Sequence, residues 1–192
     1  MTANEEKLTV PRPPGQLSKA LTGIRGLDEV TFGGLPRGRT TLVCGTPGCG
    51  KTLLGMEFLV RGAIEYQEPG VCLSFEENLE ELTANVASLG FDVRDLITRK
   101  LLAIDHIYLD RSLIEETGDY DLEALFVRLA MAVETVGAKR IFIDSVESLF
   151  AGLANESILR SELRRLFRWL KDKHLTAVVT GEGGGELIGD SR

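Results

Sequence analysis

Residues 40–52 read Thr-Thr-Leu-Val-Cys-Gly-Thr-Pro-Gly-Cys-Gly-Lys-Thr. The first five are β-branched or apolar and run into glycine, which predicts a buried strand over Thr40 to Cys44. The next eight fit the pattern G-x-x-x-x-G-K-T in full. After them, Leu54, Phe58, Leu59 and Ile64 recur at helical spacing, so a helix is expected over Thr52 to Tyr66 with those four on its inner face. Strand, glycine loop and helix together form a cradle for phosphate. The glycines let successive backbone N–H groups turn inward onto anionic oxygens, and the helix points its positive end at the same place. Thr46, Pro47, Gly48, Cys49, Gly50, Lys51, Thr52 and Leu53 are the expected nucleotide contacts. Lys51 supplies a point charge for the β- and γ-phosphates of ATP, and the Thr52 hydroxyl suits a Mg2+ ligand.

Outward from this loop, short apolar runs alternate with helical periods. Val71 to Phe75, Leu101 to Ile104, Arg140 to Asp144 and Thr176 to Thr180 are expected as four further strands. Helices are expected over Leu79 to Leu89 with Asn78 as N-cap, Asp121 to Val136, and Glu156 to Lys173 with Asn155 as N-cap. Gly90 and Gly137 stand as stops after the first two, and residues 110–120 read as a loop. Strands with few charges, alternating with helices, imply an α/β fold. Its expected form is a three-layer nucleoside-triphosphatase with a mostly parallel central sheet.

Hydrolysis needs more than a phosphate cradle: an acid for the metal and a group to accept a proton from water. Asp144 ends the apolar strand Ile141-Phe142-Ile143 and is the expected Mg2+ acid, acting through water. Glu76 and Glu77 end the strand that follows the phosphate-loop helix. In a parallel sheet such strand ends gather along one edge, so these acids should lie near Gly48 to Thr52. Neighbours on an extended strand face opposite ways, which would aim one of the pair at the γ-phosphate. At least one is expected to be catalytic. Ser145, Ser148 and Thr180 are weaker candidates, and His106 and His174 have no partners at metal spacing.

The chain has 192 residues, 43% of them hydrophobic, enough for one well-buried domain. Its formal net charge of -7 argues against nucleic acid as a partner. Arg160, Arg164, Arg165 and Arg168 share one side of a helix and read as a wet face paired with Glu156 and Glu162. Trp169 beside them reads as packing. Cys44, Cys49 and Cys72 form no CxxC pair, which fits a reduced, cytoplasmic protein. No run reaches the roughly 18 apolar residues of a membrane span. The expected organisation is a polar arm over 1–18, one ATPase domain over 19–182, and a glycine-rich tail over 183–192.

These residues carry a family resemblance. Gly33-Gly34-Leu35-Pro36-Arg37-Gly38, the phosphate loop, Phe75-Glu76-Glu77 and Ile143-Asp144-Ser145-Val146 together resemble the KaiC family of circadian-clock ATPases, built on the RecA fold. The arm before the domain is similar to the start of the first of that family's two ATPase halves. The resemblance implies homo-hexameric rings with ATP at subunit interfaces, Glu76 as general base, and Ser88 as a nucleotide contact. It also implies a KaiB-like protein as a partner. Autokinase activity belongs to the family's second half and does not transfer to these residues. The family carries strands beyond the fifth, so C-terminal strands are expected to be missing from a chain ending at Arg192. A DNA-handling ATPase of the RecA, RadA or DnaB type is the alternative on the same fold.

Overall fold

The computed structural model describes residues 17–107, 122–150 and 156–182. The domain opens with a two-stranded antiparallel ribbon of β1 (Lys19–Ala20) and β2 (Leu35–Pro36), with the short helix α1 (Leu27–Val30) between them. The expected strand, loop and helix follow as β3 (Thr40–Gly45) and α2 (Lys51–Glu65). Next come β4 (Gly70–Ser74), α3 (Leu79–Ala87), α4 (Val93–Thr98) and β5 (Leu102–His106). Then α5 (Leu122–Val136), β6 (Arg140–Asp144), α6 (Val146–Phe150), α7 (Glu156–Asp172) and β7 (Thr176–Glu182) complete the described chain.

The five long strands form one parallel sheet in the order β3-β7-β6-β4-β5. Side chains alternate across it. Val71, Leu73, Ile141, Ile143, Ala177 and Val179 face α5 and α7, while Cys72, Phe142 and Val178 face α2, α3 and α4. The result is the expected three layers, with a core on each face of the sheet. β4 and β6 are buried along their whole length, which explains their unbroken apolar sequence.

Two glycines set how closely α2 lies on the sheet. A Cβ on Gly55 would stand 2.2 Å from the Phe142 ring, and one on Gly62 would stand 2.4 Å from Arg140 Cδ. Both face β6, so the inner face of α2 turns through Gly55, Met56, Leu59, Val60 and Gly62. Ile64 was expected on that face and is instead 55% exposed. It lies two residues past Gly62, about 200° around the helix.

Other expectations also shift. Thr40 to Cys44 was expected as a buried strand, yet β3 pairs only with β7 among the described residues, and Leu42 is 40% exposed. β7 runs two residues further than expected, through Gly181 and Glu182. α3 stops at Ala87, short of Leu89. Asn78 does cap α3: its side chain accepts from Glu80 N and Glu81 N, and Glu81 reaches back to Asn78 N. β1, β2, α1, α4 and α6 were not foreseen, because two to six residues are too few to show a period. The loop at 110–120, the cap at Asn155 and the tail at 183–192 lie outside the described residues, as does all of the arm but Leu17 and Ser18.

At the start of β6, Arg140 is completely buried. It donates to Glu68 at 2.7 Å, to Phe58 O at 3.0 Å and to Leu21 O at 2.7 Å, and it stacks over the Phe58 ring at 4.6 Å. Glu68 also accepts from Arg37 at 2.5 Å. Burial alone would raise the Glu68 carboxyl, but the two arginines more than offset it and hold it below its ordinary value. This cluster ties the β1 segment to α2 and to the sheet.

Candidate functional site

Parallel register brings the carboxyl ends of the strands to one edge, with Gly45 opposite Glu182 and Ser74 opposite Asp144. A cavity of about 450 Å³ opens there. Pro47, Gly48, Gly50, Lys51, Thr52 and Leu53 line one wall, and Glu76, Glu77, Asn85, Asp144, Ser145 and Glu182 line the other. Nine of these twelve residues were expected from sequence: the six of the loop wall, together with Glu76, Glu77 and Asp144 opposite it. Ser145 was a weaker candidate.

The loop curls as its glycines allow. Gly48 has φ 78° and Gly50 has φ 91°, left-handed values that a side chain would strain. Gly50 then caps α2, whose first turn opens toward the cavity with unpaired N–H groups. Lys51 Nζ donates to Gly45 O at 2.9 Å and Thr46 O at 3.2 Å, which holds the ammonium over the loop. Thr46 and Cys49 belong to the loop but not to the cavity wall. Cys49 turns its sulfur back, 2.4 Å from where a Gly45 Cβ would stand.

β7 separates the phosphate-loop strand from β6, so Asp144 reaches Thr52 across the width of one strand. Thr52 Oγ1 donates to Asp144 Oδ2 at 2.5 Å. The buried Thr180 hydroxyl, on the intervening strand, donates to Asp144 Oδ1. Thr180, a weaker candidate from sequence, thus holds the acid in place.

An alcohol and a carboxylate oxygen side by side are hard donors suited to Mg2+. Among the described residues no group of three or more His, Cys, Asp or Glu could enclose a metal. A cation at this place would therefore complete its shell with phosphate and water, as Mg2+ does with nucleotides. Charge points the same way. The wall carries four carboxylates and one ammonium, so a triphosphate needs a divalent cation to settle there.

Glu76 and Glu77 both line the cavity, contrary to the expectation that one would face away. β4 ends at Ser74, and the chain bends at Phe75 and Glu76, so strict alternation no longer applies. The two acids are held differently. Glu76 Oε1 accepts from Ser148 Oγ at 2.6 Å and Ser145 Oγ at 3.0 Å. Glu77 Oε2 accepts from Asn85 Nδ2 at 2.7 Å. Burial pushes the Glu77 carboxyl above its ordinary value; the Asn85 hydrogen bond opposes this, and the charges of Asp144, Glu81 and Glu76 add to it.

A pH dependence of stability follows. Below the ordinary glutamate value both folded and unfolded chains hold the proton. As pH rises the unfolded carboxyl releases first, so stability falls until the folded group has also ionised. Glu77→Gln keeps an acceptor for Asn85 and removes the charge. Thermal melts between about pH 4 and 8 should show the variant gaining on the parent as pH rises, by roughly 1–3 °C. A constant gap across that range would contradict the assignment.

Ser88 lies apart from the cavity. It is exposed at the end of α3 and donates to Asn85 O at 3.3 Å. Asn85 and Glu182 were missed from sequence. Asn85 sits mid-helix without a motif, and Glu182 belongs to the unforeseen extension of β7. Trp169 packs on Phe126 at 5.9 Å, as expected. Arg165 pairs with Glu123 and with Glu162, so part of the expected ion pairing on α7 is present. No described helix is long and apolar enough to cross a membrane.

Comparison with known proteins adds an independent line. A family model described as "ATPase: KaiC" matches residues 20–189. The circadian clock protein KaiC2 of Synechocystis sp. is 58% identical over 188 residues, covering 98% of this chain and 32% of that protein. The circadian clock oscillator protein KaiC of Parathermosynechococcus lividus is 43% identical over 86% of this chain and 31% of its own length. The KaiC of Synechococcus elongatus is 42% identical over 86% of this chain and 32% of its own length. The chain thus spans about a third of the length of the curated relatives it matches.

Proposed function

The chain belongs to the KaiC ATPase family, and on that premise we propose that its cavity binds ATP with Mg2+ and hydrolyses it. The observation that carries this reading is the contact of Thr52 with Asp144 directly beside a complete phosphate loop. Lys51 and the N–H groups of Gly48 to Thr52 take the β- and γ-phosphates. Thr46, Pro47, Cys49 and Leu53 shape the loop around them. Thr52 directly, and Asp144 through water, would hold Mg2+, which supplies charge neutralisation at the phosphates when bound.

Glu76 accepts the proton of a water that attacks the γ-phosphorus in line. A new P–O bond forms as the bond to the β-phosphate oxygen breaks, and ADP and phosphate leave. Glu77, with its raised proton affinity, keeps a second acid beside the first and helps orient the same water. In keeping with its relatives' names, the whole protein would serve a clock or signalling role. It would assemble as a homo-hexamer with ATP at subunit interfaces, and a KaiB-like protein would be a partner. Ser88, on the outer end of α3, would then meet nucleotide only if a neighbouring copy or a shift of α3 brought it there.

Calorimetric titration of ATP with Mg2+ tests the reading. The parent should bind, and Lys51→Ala should bind about 10- to 150-fold more weakly, the worth of charged hydrogen bonds of about 1.5–3 kcal/mol. A flat trace for the folded parent protein would overturn it.

A further inference from the structure

Glu76 poses a physical problem for a general base. It is exposed, and a free glutamate side chain samples many rotamers, of which few hold the carboxylate against one water. What fixes it comes from the end of β6, the strand next to β4. Ser148 stands in the first turn of α6, 72 residues away in sequence, and its hydroxyl lies 2.6 Å from Glu76 Oε1. Ser145 Oγ lies 3.0 Å from the same oxygen and 3.1 Å from Ser148 Oγ, and it accepts the Ser148 N–H at 3.3 Å.

Each hydroxyl has one proton to give. The shorter contact assigns the Ser148 proton to Glu76. Ser145, which lines the cavity, divides its proton between Glu76 and Ser148. Both serines bind Oε1, and among the described residues no hydrogen bond engages Oε2. We propose that Ser148 is a positioning residue that locks Glu76 in the rotamer offering Oε2 to the attacking water, with Ser145 as its brace. This rests on the reading of Glu76 as the acid that takes the water's proton. It assigns Ser148 a role in turnover and none in holding ATP, since Ser148 is outside the cavity wall.

A double-mutant cycle on the intact protein tests it. Ser148→Ala should lower kcat roughly tenfold with KM and ATP affinity unchanged, since a charge-assisted hydrogen bond is lost. Ser148→Thr, which keeps the hydroxyl, should restore most of the rate. In a Glu76→Gln background, followed by single turnover of labelled ATP, the same Ser148→Ala change should cost less than about twofold, because the carboxylate it positions is gone. An equal cost in both backgrounds would show that Ser148 acts elsewhere and would overturn the proposal, as would an unchanged kcat in Ser148→Ala alone. If Glu76→Gln itself left turnover intact, the base assignment would fail and this inference with it. If only the coupling were absent, the inference alone would fail.

Discussion

Glu76→Gln is expected to lower kcat by about a hundred- to ten-thousandfold, the usual worth of a positioned general base. Glutamine has the shape of the carboxylate and keeps an acceptor for Ser148, so the side chain should stay where it is. What it loses is the capacity to take a proton. ATP affinity should hold or rise slightly, because one of four carboxylates around the triphosphate has been neutralised. Steady-state kinetics with a parallel calorimetric titration separates the two quantities. Proton affinity considered alone would favour Glu77, whose carboxyl is pushed up by burial and by the neighbouring acids. Geometry favours Glu76, whose Oε1 is gripped by two serine hydroxyls, while Glu77 Oε2 has the single Asn85 amide. The larger loss should therefore fall on Glu76→Gln. If Glu77→Gln were the more damaging change, the two acids would exchange roles. If neither slowed turnover, the catalytic assignment would be wrong for both.

How far the sequence revealed this site depends on the range of each interaction. The phosphate loop is local: strand, glycines, Lys51 and helix follow one another, so their geometry can be read from spacing. Asp144 and the glutamate pair are distant from the loop in sequence. The parallel sheet nevertheless places every strand end on one edge, so their convergence followed from strand class alone. The insertion of β7 between β3 and β6 was not legible, because strand order leaves no mark on the composition of a buried strand. Thr180 therefore looked like a strand end when it is in fact the residue beside Asp144. Asn85 and Glu68 were hidden for a related reason, and Ser148 stood only as a weaker candidate. Each acts through a side-chain contact spanning 8 to 72 residues, and no periodicity encodes such a contact. Nor does helical spacing mark Gly55 and Gly62, where α2 meets Phe142 and Arg140.

Glu68→Ala is expected to destabilise the fold by about 3–5 kcal/mol, the cost of leaving a buried charge without its partner. Arg140 has no exposed surface, and its charge is already disfavoured by burial, with Glu68 the main compensation. The remaining bonds to Phe58 O and Leu21 O satisfy two of its donors but do not neutralise it. Arg37 would lose its partner too, but it is 44% exposed, so water can replace much of that contact. Urea denaturation should show the midpoint falling with little change in slope, and melting should drop by about 10 °C. Replacing both Arg140 and Glu68 by methionine should recover most of the loss, since matched apolar residues can substitute for a buried pair. Arg140 opens the strand that Asp144 closes, five residues long, so the cluster lies at the far end of β6 from the cavity. Below its lowered melting point, Glu68→Ala should therefore bind ATP as the parent does. A loss under about 1 kcal/mol would mean that the carbonyls and the Phe58 ring suffice to hold the guanidinium. The ion pair would then be an accessory to the fold, and the Leu21 carbonyl would be the contact through which Arg140 holds the segment after β1.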